Sequence, residues 1–328
     1  LVTGTGPEAV TVVVPTWNSG PWLPDCLEAL ARQTLQPREI LVVDSASTDG
    51  SVAALSSVGS PRLLALPSNR GFAAAANAGW RAAGTPWVAL LNPDTRPEPD
   101  WIRSLADAMA AADPEVWAVA SKMLRMDDPG RVDDAGDQLS RFGAAVKRGH
   151  GEPEGDWNRA DQVLSPCAGG ALYRRAALAE LGGFDESFES YLEDLDLGLR
   201  ACLAGWRCRF EPRARVLHHG GGAGLARARY VRLVTCNRLL LLGKNLPATL
   251  LARHAARLAR GQLYFLVAYH RPLASLLGYL RFLYRLPSML SARRAIQRTR
   301  RASAAQVDAC LLPTLGAPPL RQLWRRDR

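Results

Sequence analysis

The chain repeats one local pattern that few folds accommodate: a short apolar run stops abruptly on polar side chains, and a helical stretch follows. Val10 to Pro15 is largely β-branched and stops at Thr16-Trp17-Asn18. Ile40 to Val43 stops at Asp44, and Trp87 to Leu91 stops at Asn92-Pro93-Asp94. Apolar runs this short, without alternation, read as strands covered on both faces. Ser19 to Gln33 carries Trp22, Cys26, Leu27 and Leu30 at helical spacing. Phe72 to Ala83 and Pro99 to Ala112 read as further helices, and Arg62 to Leu66 and Val116 to Ser121 as further strands. Ser45 to Gly50 is a polar turn in which Thr48 or Asp49 is placed to cap a following helix. Alternation of this kind predicts an α/β fold, a mostly parallel sheet with helices on both faces. Ligands of such sheets sit beyond the carboxyl ends of the strands. The polar residues cluster there, and packing alone does not need carboxylates at strand ends.

At 328 residues the chain is long enough for one large domain and an appendage. The division is placed at 222/223, because the character changes there to Leu- and Arg-rich helices. Charge changes with it. Residues 1–219 carry 21 basic and 29 acidic side chains, whereas the remaining 109 carry 20 and 2. A basic segment interleaved with leucines predicts amphipathic helices on an anionic membrane surface. Arg253, Arg257 and Arg260 are expected on one helix face. The alternative is a helical cover whose arginines are merely solvated. Nucleic acid is not expected, since no recognition motif or stacking aromatics accompany the arginines.

Leu263 to Leu283 is the most apolar stretch, and His270-Arg271-Pro272 breaks it, so no membrane span is expected. Nothing at the start reads as a signal peptide. The six cysteines form no metal-type or disulfide-type spacing, which suits a reducing cytoplasm. The expected location is cytoplasmic, peripheral on the inner face of the membrane. Asp127 to Gln162 reads as a long loop or a small hairpin. The opening Gly4-Thr-Gly6 lacks a preceding strand and a correctly placed third glycine, so it is not a dinucleotide loop.

Five segments in order resemble the family-2 glycosyltransferases of the GT-A fold. They are Val12-Val-Val-Pro-Thr-Trp-Asn18, Val42-Val-Asp-Ser-Ala-Ser-Thr-Asp-Gly50, Asn69-Arg-Gly-Phe-Ala-Ala-Ala-Ala-Asn-Ala-Gly79, Leu91-Asn-Pro-Asp94, and Gly182-Gly-Phe-Asp185 with Tyr191-Leu-Glu-Asp-Leu-Asp196. The form is similar to the rhamnosyltransferase branch. That resemblance implies transfer of a sugar, here L-rhamnose from a dTDP-sugar, to a lipid-linked or polysaccharide acceptor. Glucose, galactose or galactofuranose would be same-class variants. A sugar-nucleotide nucleotidyltransferase shares a similar sheet, but would want a Gly- and Arg-rich loop where Trp17-Asn18-Ser19 stands. A catalytically dead scaffold would not need Asp94 and Asp194.

The chemistry asks for few groups. A leaving nucleoside diphosphate needs its charge neutralised, and Mg²⁺ or Mn²⁺ bound through hard ligands does this. Asp94 is the first candidate ligand. The family's usual Asp-x-Asp has Asn92 at its first position here, which removes a charge. His218 in Val-Leu-His-His-Gly-Gly-Gly resembles the family's C-terminal metal histidine, and His219 is the alternative. By the same resemblance Pro15, Thr16, Trp17, Asn18, Asp44, Arg70, Gly71, Asn77 and Asn92 contact the donor. Arg70 would pair with the diphosphate and Asp44 with the pyrimidine. Asp194 matches the base position, which implies inversion at the anomeric carbon, with Glu193 and Asp196 crowding charge around it. An acidic first turn of a helix is the structural alternative. Gly169 and Gly170 are expected in a tight loop where acceptor and donor approach, and Cys167 beside them in packing.

Overall fold

The computed structural model describes residues 10–53, 55, 61–220 and 225–317. Gly4-Thr-Gly6 and the 222/223 boundary lie outside the described residues. In chain order the elements are β1 (Val10–Thr16), α1 (Leu23–Ala31), β2 (Glu39–Asp44), β3 (Arg62–Ala65), α2 (Phe72–Ala82), β4 (Trp87–Leu91), β5 (Thr95–Pro97), α3 (Trp101–Ala110), β6 (Val116–Arg125) and β7 (Val132–Asp134). There follow β8 (Asp137–Leu139), β9 (Ala145–Lys147), β10 (Asp161–Val163), β11 (Gly170–Arg174), α4 (Arg175–Leu181), α5 (Glu193–Leu203) and β12 (Arg207–His218). Five helices complete the described chain: α6 (Arg227–Asn245), α7 (Ala248–Arg253), α8 (Ala255–Ala268), α9 (Pro272–Thr299) and α10 (Ala304–Ala309).

The main sheet runs β10-β12-β6-β11-β4-β1-β2-β3. β4, β1, β2 and β3 are mutually parallel, as are β6 and β12. β11 lies antiparallel between β4 and β6. The mostly parallel expectation therefore holds, with β11 reversed inside the sheet and β5, β7 and β10 antiparallel at its margins. β1 is buried along its whole length, in keeping with its unbroken apolar run. One core, on the face covered by α1 and α3, gathers Leu27, Leu30, Trp101 and Leu105. The opposite face packs Ala73, Ala76, Leu178, Leu197 and Ala201 of α2, α4 and α5.

Residues 127–162 do form a small hairpin, β8 on β9, but they also supply β7 to the main sheet. After Asp49 the chain turns, and Ala53 and Leu55 take 3-10 geometry, their N–H groups bonding the Gly50 and Val52 carbonyls. Asp49 accepts the Ser51 N–H at 3.0 Å and the Gly20 N–H at 2.8 Å, tying the turn to the loop after β1.

A third core joins the C-terminal helices to the sheet layer. Leu195, Leu199 and Leu203 of α5 pack with Cys236, Leu240, Leu241, Met289 and Val307. Helices α6 and α9 approach closely because Gly278 has no side chain; a Cβ there would meet the Arg232 carbonyl at 2.8 Å. One expectation fails here. Arg253 ends α7, and His254 breaks the helix before α8 carries Arg257 and Arg260. His254 Nε2 lies 2.7 Å from Asp308 and Arg253 lies 3.5 Å from the same carboxylate. That local ion cluster, not a continuous basic face, organises these residues.

Candidate active site

The strand ends converge as the sheet topology requires. β12 runs parallel to β6, and its last residue, His218, pairs with Thr95 of β5. That register brings His218 beside Asp94, which follows β4. His218 Nε2 lies 3.5 Å from Asp94 Oδ2, and both side chains are nearly buried. The other ring nitrogen, Nδ1, lies 2.8 Å from Asp133 Oδ2. Burial acts to lower the His218 pKa, but the Asp133 and Asp94 carboxylates outweigh it and hold the imidazole at about 9. Asp133 also accepts Lys147 Nζ at 2.8 Å. Burial acts to raise the Asp133 pKa, and its partners His150, His218 and Lys147 pull it well below the carboxylate range instead.

These groups open onto a cleft of about 560 Å³. Pro15, Thr16 and Trp17 line it from β1, Asn92 and Asp94 from β4, and Gly71 and Phe72 from the start of α2. Ser190 and Tyr191, then Arg227, Arg229 and Tyr230, close the far side. Gly169 lies against Asn92. Its carbonyl accepts the Asn92 N–H at 2.9 Å, and a Cβ on Gly169 would stand 2.9 Å from Asn92 Nδ2. Gly170 opens β11, after a turn in which its N–H reaches the Cys167 carbonyl. The tight loop is therefore present and backs Asn92.

Several residues are held differently from the sequence expectation. Asn77 is buried and fully engaged by protein. It donates to the Phe184 carbonyl at 2.8 Å and to Glu186 at 3.0 Å, and accepts from Trp80 and the Phe184 N–H at 2.9 Å. It braces α2 against the 184–186 turn and does not line the cleft. Arg70 pairs with Glu186 at 2.8 Å, its side chain largely exposed. Asn18 sits at φ 49 and accepts the Thr48 N–H. Asp44 is buried at the end of β2, where it accepts the Ser47 N–H; the neighbouring Ser45 lines the cleft. His219 stacks on Trp22, with centroids 4.1 Å apart, so His218 is the histidine that faces Asp94.

Asp194 stands in the first turn of α5 and is not among the residues that line the cleft. Its carboxylate accepts the Leu195 N–H at 2.8 Å and the Ala168 N–H at 3.4 Å. Burial raises its pKa against these bonds. Burial, reinforced by Asp194, pushes Glu193 higher still, and one Glu193 oxygen is buried without a partner. Asp196 is spent on structure: Lys244 reaches it at 2.8 Å and Arg200 at 2.9 Å.

Sequence reading missed Asp133, Lys147, Tyr191 and Tyr230. Lys147 carried a signal, being one of three lysines in an Arg-rich chain. Asp133 lay in a stretch read as loop, and only the pairing of β7 with β6 brings it to the site.

An α/β sheet of this order, with a carboxylate–imidazole pair in a cleft beyond its parallel strands, defines the GT-A class of transferases. The model of glycosyl transferase family 2 matches residues 11–182, and the chain belongs to that family; it is a glycosyltransferase. An N-acetylglucosaminyl-diphospho-decaprenol L-rhamnosyltransferase of Mycobacterium tuberculosis is 35% identical over 237 residues, covering 65% of this chain and 76% of that protein. A pre-mycofactocin glycosyltransferase of the same organism is 30% identical over 221 residues, covering 66% and 43%. In fold, the chain is similar to the mannosyltransferase PcManGT of Pyrobaculum calidifontis, solved with GDP-Man and Mn²⁺. The TM-score is 0.52 at 21% identity, with 93% and 87% of the two chains covered.

Proposed function

We propose that this enzyme is an inverting transferase that moves a sugar from a nucleotide donor to a hydroxyl of a lipid-linked or polysaccharide acceptor in cell-envelope glycan synthesis. L-rhamnose from a dTDP-sugar is the first choice, supported by the relation to the mycobacterial rhamnosyltransferase. Glucose, galactose or galactofuranose are the alternatives within the family. The nucleotidyltransferase reading falls with the family assignment. The carrying observation is the Asp94–His218 pair, 3.5 Å apart at the strand-end cleft and flanked by Asn92.

The donor set suits Mg²⁺ or Mn²⁺. It offers a carboxylate oxygen and an imidazole whose other nitrogen is fixed by a carboxylate, the arrangement that orients metal-binding histidines. Asp94 and His218 would hold the ion, which when bound neutralises charge on the leaving diphosphate. Pro15, Thr16 and Trp17 form the donor wall, and Gly71 leaves room at the start of α2. Asp44, next to the cleft-lining Ser45, would meet the nucleoside. Gly169 and Gly170 keep the acceptor side open around Asn92.

Asp194 is the base. A carboxylate with a raised pKa accepts a hydroxyl proton more readily than an ordinary one, and such a base is worth roughly 10²–10⁴-fold. Domains 1–222 and 223–328 then divide the work between chemistry and placement on the cytoplasmic face of an anionic membrane. The testing experiment is a panel of sugar nucleotides with lipid-linked acceptor, with and without Mg²⁺ or Mn²⁺. Transfer from dTDP-rhamnose that needs the cation supports the reading. Absence of both transfer and thermal stabilisation by any nucleoside diphosphate overturns it.

A further inference from the structure

A lipid-borne acceptor must travel from the bilayer to the cleft, and one side of the molecule is built of groups that suit that passage. Among the described residues, the exposed large hydrophobics other than Val52 and Leu63 all fall on α8 and α9. On α9 they are Leu273, Leu276, Leu277, Leu280, Leu283 and Tyr284, between 44% and 87% exposed, and Leu290 further along the helix at 39%. Their spacing of three and four residues puts them on one stripe. No acidic residue occurs between Glu211 and Asp308, while Arg257, Arg260 and Arg271 accompany the hairpin. No helix among the described residues is long and apolar enough to cross a membrane. An apolar stripe with basic flanks that cannot span suits the interface of an anionic bilayer.

From the tip of that hairpin a line of rings leads inward. Tyr269, at the end of α8, lies 6.3 Å from Tyr230, which lies 4.9 Å from Tyr191, both edge-on. Tyr230 and Tyr191 are cleft residues, with Arg227 and Arg229 beside them. Tyr191 is held in place at some cost. Glu189, Tyr191 and Leu192 all have φ between 60 and 72°, which non-glycine residues rarely adopt. Asn237 of α6 donates to the Phe188, Ser190 and Tyr191 carbonyls at 2.9–3.0 Å. Glu189 pairs with Arg281 of α9, so the helix bearing the apolar stripe is tied to the turn that aims Tyr191.

We propose, as a deepening that rests on the transferase reading above, that Tyr191, Tyr230 and Tyr269 with Arg227 and Arg229 form the acceptor subsite. It takes a glycosyl diphosphate carried on a prenyl chain, delivered from an anionic bilayer in which the α8–α9 hairpin lies. Tyr191 and Tyr230 line the cleft where a sugar would pack, Tyr269 backs Tyr230 while stacked on Phe265, and the guanidinium forks match the diphosphate. Membrane docking and chemistry are thereby joined through α9, Glu189 and Tyr191.

The test uses the full chain and N-acetylglucosaminyl diphosphate on a long prenyl chain in phosphatidylglycerol vesicles, beside a short-chain, water-soluble form. Tyr230→Leu is expected to raise the acceptor KM about tenfold for both forms, with donor affinity changed less than twofold; Tyr230→Phe, which keeps the ring, restores the KM. Leu276→Glu with Leu280→Glu is expected to lose vesicle cosedimentation at least tenfold, with transfer to the short-chain form unchanged. An unaltered acceptor KM in Tyr230→Leu overturns the subsite. So does wild-type protein that ignores anionic vesicles, or a wild-type dimer that the double substitution makes monomeric, since the stripe would then be a self-association face. Absence of transfer by wild type to either acceptor overturns the transferase reading itself.

Discussion

His218 lies between two carboxylates at the cleft, Asp94 and Asp133. Asp133 takes one ring nitrogen and leaves the other for Asp94 or for a cation between them. His218→Ala is expected to weaken Mn²⁺ binding 10–100-fold or more, read by titration with Mn²⁺ in the absence of donor, and Asp133→Asn to give a smaller loss in the same direction. Asp194 is tested by pH as well as by substitution. Because burial raises its pKa, the acid limb of kcat is expected above the usual carboxylate range, with activity lost as pH falls through it. Gly169→Ala forces a Cβ to within 2.9 Å of Asn92 Nδ2, so a fall in kcat/KM is expected with little change in thermal stability. Asp94 and His218, singled out in the sequence at a strand end and by resemblance, do come together in the structure, 3.5 Å apart at the cleft. The sequence did not show the partners that hold Asn77 and Arg70, because Phe184 and Glu186 reach them only through the way α2 meets a turn over a hundred residues later.

At the scale of elements, α6 is the fastener. Lys244 is buried, and reaches Asp185 at 2.5 Å and Asp196 at 2.8 Å. Lys244→Met leaves those carboxylates short of a cation and is expected to cost about 3–5 kcal/mol in urea unfolding. The same pair sets an acid limit. Burial opposes ionisation of Asp185, yet Lys244 lowers its pKa from 3.8 to about 2. Its contribution, roughly 2 kcal/mol, is complete above the unfolded value and disappears as pH falls through the folded one; unfolding measured between pH 5 and pH 2 reads it. Gly71 fastens the donor side, since its φ is 90° and a Cβ would stand 2.4 Å from the Glu189 carbonyl. Gly71→Ala should destabilise by roughly 2 kcal/mol or more. The parallel strands were legible because buried strands are written locally, as in β1 and β4. The reversed strand β11 and the small strand β7 were not, since each is defined by its pairing, β11 with β4 and β6 and β7 with β6, and not by its own composition.

Across the whole molecule the two charge regimes meet one purpose. The acidic segment holds the cleft, and the basic one holds the apolar stripe of α9 and the arginines of the far wall. The third core, shared by α5 and α6, α9 and α10, makes them one body around the 189–192 turn. Composition announced the basic segment, but not that its apolar stripe lies on α9 or that His254 separates α7 from α8. The central claim is that the Asp94–His218 cleft binds donor while Asp194 removes the acceptor proton. It is tested most directly by Asp194→Asn, with donor affinity measured by calorimetry and turnover measured on the same preparation. Donor binding within twofold of wild type with turnover reduced by about 10²–10⁴-fold is the expected outcome. Turnover equal to wild type at unchanged donor affinity would contradict it.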